Sequence, residues 1–417
     1  MSVYVIEGGK RLEGELSIGG SKNAILPIIA ATLLNDKEVT CLKNCPKIDD
    51  VKVMVEILNE LGCKADWQDD TLVIDTRTLS RNHIDEGLVK KMRSSIILLG
   101  ALLGRLGEAT ISHPGGCNLG ARPIDLHLSG LRKLGVEIVE ESDIISCKTK
   151  GLKGAEINLT FPSVGATQNI MLAATKAEGT TIINNAAREP EIIDLADFIN
   201  ACGGCIIGAG SEKIIVQGVK EMTAVTYRVI PDRIITGTYL VAAAITRGNV
   251  ILNDVNSGHL IAVIDALRQM GCKIIDEKTR LVLESPKELN SIDIVTEPYP
   301  YFPTDMQSQF MALLCTANGN SVIKEKLFES RFKIASDLNR MGANIIVNGT
   351  TAYVEGGKSF VGKHVSATDL RGGAALVLAG LIASGETVVD NIKYIKRGYE
   401  NIVTDLSKLG AQIEERE

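Results

Sequence analysis

The stretch Ser112-His113-Pro114-Gly115-Gly116-Cys117-Asn118-Leu119-Gly120-Ala121-Arg122-Pro123-Ile124-Asp125-Leu126-His127 concentrates groups able to do chemistry. It reads as the end of a strand, a Gly-rich loop and the start of a helix. Gly115, Gly116 and Gly120 permit positive φ or a close approach to a ligand. Pro123 suits a first helical turn, which puts Arg122 at a helix N-terminus, where free N–H groups and the dipole favour an anion. A thiol near a guanidinium and a helix start has a lowered pKa, and this sets Cys117 apart from a chance loop cysteine.

Other charged residues stand at similar places. Lys47, Arg122, Arg188, His259, Arg331 and Arg397 each head a region with amphipathic helical spacing. A cation there opposes the helix dipole, so helix stability does not explain it; an anion near Arg122, Arg331 and Arg397 does. A second set heads helices of small apolar residues: Ser21-Lys22-Asn23, Met92-Arg93-Ser94, Ser163-Val164-Gly165, Pro231-Asp232-Arg233, Thr304-Asp305 and Asp369-Leu370-Arg371. Ser21 is an expected N-cap, and capping alone would also account for Asp232, Asp305 or Asp369. Gly19-Gly20-Ser21-Lys22 lacks the full phosphate-loop pattern and is not read as an ATP site.

The elements that must position these residues follow from an internal repeat. Six amphipathic helices end in Gly62, Gly135, Gly203, Gly271, Gly342 and Gly410, spaced 73, 68, 68, 71 and 68 residues apart. Two strands follow each glycine, as at 64–75, 137–147 and 273–284. Upstream of each lies the small-residue helix, apolar nearly all round and hence buried: 23–34, 94–103, 165–175, 236–245, 306–317 and 372–383. The sixth copy stops after one strand at Glu417, and Val3-Tyr4-Val5-Ile6-Glu7-Gly8 resembles the strand Ala352-Tyr353-Val354-Glu355-Gly356 that closes the fifth. The N-terminus is therefore expected to complete the sixth copy. Residues 21–229 would form one three-copy domain, and residues 1–20 with 230–417 the other.

Composition narrows the class of function. A net charge of −6 offers no global basic field for nucleic acid, and 4% aromatic residues offer few stacking platforms. No uniform apolar run is long enough to span a bilayer, and Met1-Ser2-Val3-Tyr4-Val5 lacks a signal-peptide pattern, so a cytosolic protein is expected. Its nine cysteines are then mostly reduced. Cys202-Gly203-Gly204-Cys205 matches C-x-x-C but has no second pair or nearby His, so no metal is expected.

Several motifs carry a family resemblance. They are Gly20-Ser21-Lys22-Asn23-Ala24, the Cys117 loop through His127, Ala187-Arg188-Glu189-Pro190-Glu191, Pro231-Asp232-Arg233, Phe302-Pro303-Thr304-Asp305-Met306-Gln307, Ala367-Thr368-Asp369-Leu370-Arg371 and Arg397-Gly398-Tyr399-Glu400. Together they resemble the enolpyruvyl transferases, and among these the group acting on UDP-N-acetylglucosamine. The resemblance spans essentially the whole chain. It implies an α/β fold, an inside-out α/β barrel of two domains with three repeated units each. It implies transfer of the enolpyruvyl group of phosphoenolpyruvate to the sugar 3-hydroxyl with release of phosphate, the first committed step of peptidoglycan synthesis, with no cofactor. By that resemblance Cys117 is the acid and Asp305 the base. Lys22, Asn23, Arg122 and Arg397 would hold phosphoenolpyruvate, with Arg331 and Arg371 near its carboxylate. Arg93, Arg122, Pro123, Ile124, Asp125, Leu126, Ser163, Val164, Gly165, Asp305 and Leu327 would line the UDP-sugar site, and Asp369 would position the Cys117 loop. Phe161 departs from the family, which often has Lys there. Two alternatives stay open: a shikimate-pathway enolpyruvyl transferase, and a silent paralogue that binds the UDP-sugar as a regulator.

Overall fold

The computed structural model describes residues 2–115 and 124–417. The chain divides into two compact units, one running from Gly20 to Ile230 and the other joining the residues up to Gly19 to Pro231–Glu417. Each unit holds three sheets, one per sequence repeat.

Among the described residues, five of the six sheets share one strand order. A lead-in strand runs parallel to the strand that follows the buried helix, and a hairpin pairs antiparallel on its other side. In the fifth copy the order is Ile294–Thr296, Asn320–Glu325, Thr351–Glu355, Asn344–Asn348. The second copy has three strands, and a single bridge between His83 and Thr110 stands where its lead-in strand would be. Chain ends supply what a repeat lacks. Val3–Glu7 pairs antiparallel with both Glu386–Asp390 and Gln412–Arg416 and completes the sixth sheet. Glu13–Ser17 leads into the fourth sheet beside Asn249–Asn253, and Thr226–Arg228 leads into the first beside Thr40–Lys43.

Beneath the sheets lie the small-residue helices, Lys22–Thr32, Leu98–Leu106, Val164–Ala174, Arg233–Ile245, Gln307–Leu314 and Leu370–Gly380. Their apolar residues on every side suit burial. Small residues also let them approach: a Cβ on Gly100 would come within 2.2 Å of the Asn169 carbonyl oxygen. The amphipathic helices end in a left-handed glycine, with φ from +89° at Gly135 to +111° at Gly342, a conformation that favours a residue without Cβ.

Helix heads differ among the copies. Ser21 and Ser163 cap the first and third helices, accepting from the amides of Ala24 and Ala166 at 3.3 Å. Asp232 caps the fourth through Ile234 and Ile235, and Asp369 the sixth through Arg371 and Gly372. The middle copy of each unit has no side-chain cap and opens in a 3-10 turn, Arg93–Ile97 or Thr304–Met306. The helix that follows the Gly-rich stretch of the sequence is described from Asp125, and the Pro123 start read from the sequence lies outside the described residues.

Candidate active site

Asp305 lies in the uncapped turn Thr304–Met306, so its carboxylate is not used as a cap. It is held instead by two arginines, Arg331 further along the same copy and Arg371 from the sixth. Arg331 Nη2 donates to Oδ1 at 2.7 Å, and Arg371 Nη2 donates to Oδ2 at 2.9 Å. Both guanidinium side chains are buried, at 2% and 4% exposure, while the Asp305 side chain keeps 28%. Burial pushes this carboxyl up, but Arg371, Arg331 and Arg233 outweigh it and hold Asp305 well below the usual carboxylate range. Arg331 also grips the Thr304 carbonyl oxygen through Nε and Nη2, at 3.2 and 3.0 Å. The cation heading the fifth amphipathic segment thus has an anion within the protein. Arg397 ends the one-turn helix Lys393–Lys396, half-buried, rather than heading the helix Ile402–Lys408.

Several supporting residues escaped the sequence reading. Buried Glu325 accepts from the Thr304 hydroxyl at 2.9 Å and from the amides of Leu327 and Phe328 at 2.8 and 3.2 Å. It ties Leu327, expected at the UDP-sugar site, to the turn that carries Asp305. Gln309 donates to the Asp305 carbonyl oxygen at 3.0 Å. Asp369 acts as the cap of the helix whose second residue is Arg371.

In the other unit Lys22 begins the first buried helix, and its ammonium lies 2.7 Å from the Asp50 carboxylate. Asp50, in the first turn of the helix Asp49–Glu60, was not singled out in the sequence. Asn23, beside Lys22, is half-buried. Arg93, Ile124 and Asp125 line one pocket of about 360 Å³, with His113, Arg132 and Glu140 as lining residues that the sequence did not single out. Arg132 donates to Glu140 at 3.0 Å. Leu126 and Val164 pack partly buried against the core. Gly165 lies against His127, where a Cβ would meet the imidazole at 2.9 Å. His127 in turn sits 3.1 Å from the Asn169 amide nitrogen, which also reaches the Ile96 carbonyl oxygen at 3.0 Å. One buried side chain thereby joins the segments of Arg93, Asp125 and Ser163. Phe161 is 44% exposed, two residues before Ser163. Cys117, Arg122 and Pro123 lie outside the described residues.

The described cysteines are free thiols. Burial pushes Cys63, Cys147, Cys202 and Cys315 up to about 12 and Cys272 up to about 11, which leaves them inert as nucleophiles. Among the described residues, Cys205 is the exposed thiol.

Residues 6–416 match the family model of EPSP synthase (3-phosphoshikimate 1-carboxyvinyltransferase). Full-length relatives carry a different acceptor in their names. UDP-N-acetylglucosamine 1-carboxyvinyltransferase 2 of Caldanaerobacter subterraneus subsp. tengcongensis is 48% identical over 414 residues, and that of Clostridium tetani 46% over 415, with 99% of each chain covered in both cases. The UDP-N-acetylglucosamine 1-carboxyvinyltransferase of Oleidesulfovibrio alaskensis is 48% identical over 413 residues, again covering 99% of each chain. Among solved structures, the enolpyruvyl transferase NikO from Streptomyces tendae superposes with a TM-score of 0.90 at 25% identity, covering 99% of this chain and 98% of that one. An EPSP synthase from Acinetobacter baumannii gives 0.75 at 19% over the whole of both chains, a likeness of fold alone. The two-unit α/β architecture is that of these transferases, and the chain belongs to the UDP-N-acetylglucosamine 1-carboxyvinyltransferases, within the EPSP synthase family.

Proposed function

We propose that this protein transfers the enolpyruvyl group of phosphoenolpyruvate to the 3-hydroxyl of UDP-N-acetylglucosamine and releases phosphate. The sugar oxygen bonds to C2 of phosphoenolpyruvate while C3 takes a proton from Cys117. The ketal then loses a C3 proton and its phosphate, which restores the double bond. Asp305 accepts the hydroxyl proton in the first step. Lys22, Asn23, Arg122 and Arg397 hold the phosphoenolpyruvate. The pocket at Arg93 and Asp125, the Ser163–Gly165 helix head and Leu327 receive the UDP-sugar. Asp369 positions the Cys117 loop through the helix it caps.

The observation that carries this reading is the Asp305 carboxylate fixed between Arg331 and Arg371. A carboxylate so held is ionised at neutral pH but weakly basic. A phosphoenolpyruvate carboxylate drawn to the same two guanidinium groups would compete for them and return basicity to Asp305 as the second substrate arrives. The chemistry needs only side chains and two anionic substrates. A cytosolic location fits free cysteines, and no helix among the described residues is long and apolar enough to cross a membrane.

Phosphate release with phosphoenolpyruvate and UDP-N-acetylglucosamine tests the reading. Rapid release with that acceptor and none with 3-phosphoshikimate is expected. Release with 3-phosphoshikimate instead would reassign the acceptor, and silence with both would make the chain a binding protein.

A further inference from the structure

Tyr399 is among the largest fully buried side chains of the molecule, and no role in the transfer has been given to it above. Its hydroxyl lies 2.8 Å from Thr238 Oγ1. The direction of that bond follows from counting protons. Thr238 has one hydroxyl proton, and it goes to the Ile234 carbonyl oxygen at 2.8 Å. Gln309 Nε2 donates to the same Thr238 oxygen at 3.2 Å. Thr238 can therefore only accept from Tyr399, so the phenol donates its own proton and turns its lone pairs elsewhere. The Arg371 guanidinium carbon stands 5.9 Å from the centre of the Tyr399 ring, and its charge and hydrogen bonding oppose the upward push of burial on the phenol.

These contacts close a loop. Arg371 holds Asp305 Oδ2, Tyr399 meets Arg371, Thr238 accepts the Tyr399 hydrogen bond, and Gln309 spans from Thr238 to the Asp305 carbonyl oxygen at 3.0 Å. We propose that Tyr399 is a positioning residue: anchored by Thr238, it fixes the Arg371 guanidinium and so sets where the Asp305 carboxylate stands for the incoming sugar hydroxyl. The physical basis is the cost of misplacement. A reacting oxygen must be held near attack distance, and a long arginine side chain keeps one geometry in a buried site only when its donors are engaged. The proposal rests on Asp305 acting in the transfer.

Tyr399→Phe removes one oxygen and keeps the ring. Competent sites are counted by calorimetric binding of UDP-N-acetylglucosamine, and turnover is divided by that count. The kcat per competent site is expected to fall about fivefold, the scale of one lost hydrogen bond, with the KM for the UDP-sugar unchanged. Thr238→Val should fall by the same factor, Thr238→Ser should retain full turnover, and the Tyr399→Phe, Thr238→Val double variant should be no worse than either single change. Full kcat in Tyr399→Phe overturns the proposal. So does a loss seen only as fewer competent sites, which marks a purely structural tyrosine. If Tyr399→Phe does not fold, Thr238→Val carries the test, and full kcat there overturns it equally. Asp305→Asn separates the two levels. Turnover retained in Asp305→Asn removes the base assignment itself; turnover lost there but intact in Tyr399→Phe removes only the positioning role.

Discussion

In the unit from Gly20 to Ile230 the first and third buried helices are capped by Ser21 and Ser163; in the other unit the equivalent caps are Asp232 and Asp369. A serine satisfies an orphan amide and leaves the positive end of the helix electrically open. An aspartate satisfies two amides and also neutralises that end. The serine-capped unit is therefore equipped to meet phosphate oxygens with helix N-termini, while in the aspartate-capped unit positive charge comes from arginine side chains. The middle copies sharpen the contrast. Neither has a side-chain cap, both open in a 3-10 turn, and within the first two residues of that turn one carries a cation, Arg93, and the other an anion, Asp305. One repeated scaffold thus presents opposite charges at matching places. The lesson is that chemistry was divided between the copies by changing helix heads and leaving the sheets alone.

The largest expected effect tests whether acid and base come from different halves of the sequence. Cys117→Ala should lose about a hundredfold or more in turnover yet fold normally, because general acid catalysis is worth that much and the sequence around the residue is a Gly-rich stretch with no core pattern. Cys117→Asp should keep appreciable activity and escape alkylation by an epoxide such as fosfomycin. Peptide mapping after limited epoxide treatment with UDP-sugar present should find Cys117 labelled ahead of exposed Cys205. Label on Cys205 first, or full activity in the alanine variant, would remove the acid assignment from Cys117.

Next comes the arginine-based half. Arg397→Ala should raise the KM for phosphoenolpyruvate ten- to a hundredfold, as loss of a charge-assisted contact costs about 1.5–3 kcal/mol. UDP-sugar binding by calorimetry should stay within about twofold. Equal loss for both substrates would make Arg397 a structural residue.

A third test concerns a feature the two units share. Each sets an aspartate against a tyrosine hydroxyl, buried Asp194 with Tyr227 at 2.6 Å and half-buried Asp405 with Tyr239 at 2.7 Å. Burial pushes Asp194 up to about 6 and also raises Asp405. The folded protein then binds a proton at Asp194 more tightly than the unfolded chain. Its contribution is present below pH about 4 and is lost as the pH rises through about 6, by up to about 3 kcal/mol. Urea midpoints between pH 4 and 7 should show this decline superposed on the rest of the titration, and Asp194→Asn should flatten it. An unchanged slope in the variant would show that Asp194 titrates normally.

The smallest effect exchanges one cap for its counterpart. Ser163→Asp should leave stability unchanged, since both residues cap well. It should weaken UDP-sugar binding about tenfold, or about 1.4 kcal/mol, by placing a carboxylate where a diphosphate is expected. Unaltered affinity would mean that the open helix end at Ser163 has no part in binding.

How much of this was legible beforehand depended on the range of the interaction. The six copies, their buried helices and the strand lent by Val3–Glu7 were readable because they follow from local periodicity and from one repeat resembling another. Ser21, Asp232 and Asp369 as caps were readable because a cap bonds two or three residues along its own chain. The same rule fitted Asp305 equally well. Only the folded chain decided that its oxygens go to Arg331 and Arg371, 26 and 66 residues away. Likewise nothing in the sequence singled out Asp50 as the partner of Lys22, 28 residues away. Tyr399 stood in a motif already noted for Arg397, yet its hydrogen bond to Thr238 spans 161 residues. Sequence by itself determined the repeat, the helix heads and the family. Tertiary structure decided which charges neutralise one another, because partners in a buried ion pair or hydrogen-bond loop are chosen by proximity in space, and chain spacing leaves no trace of that choice.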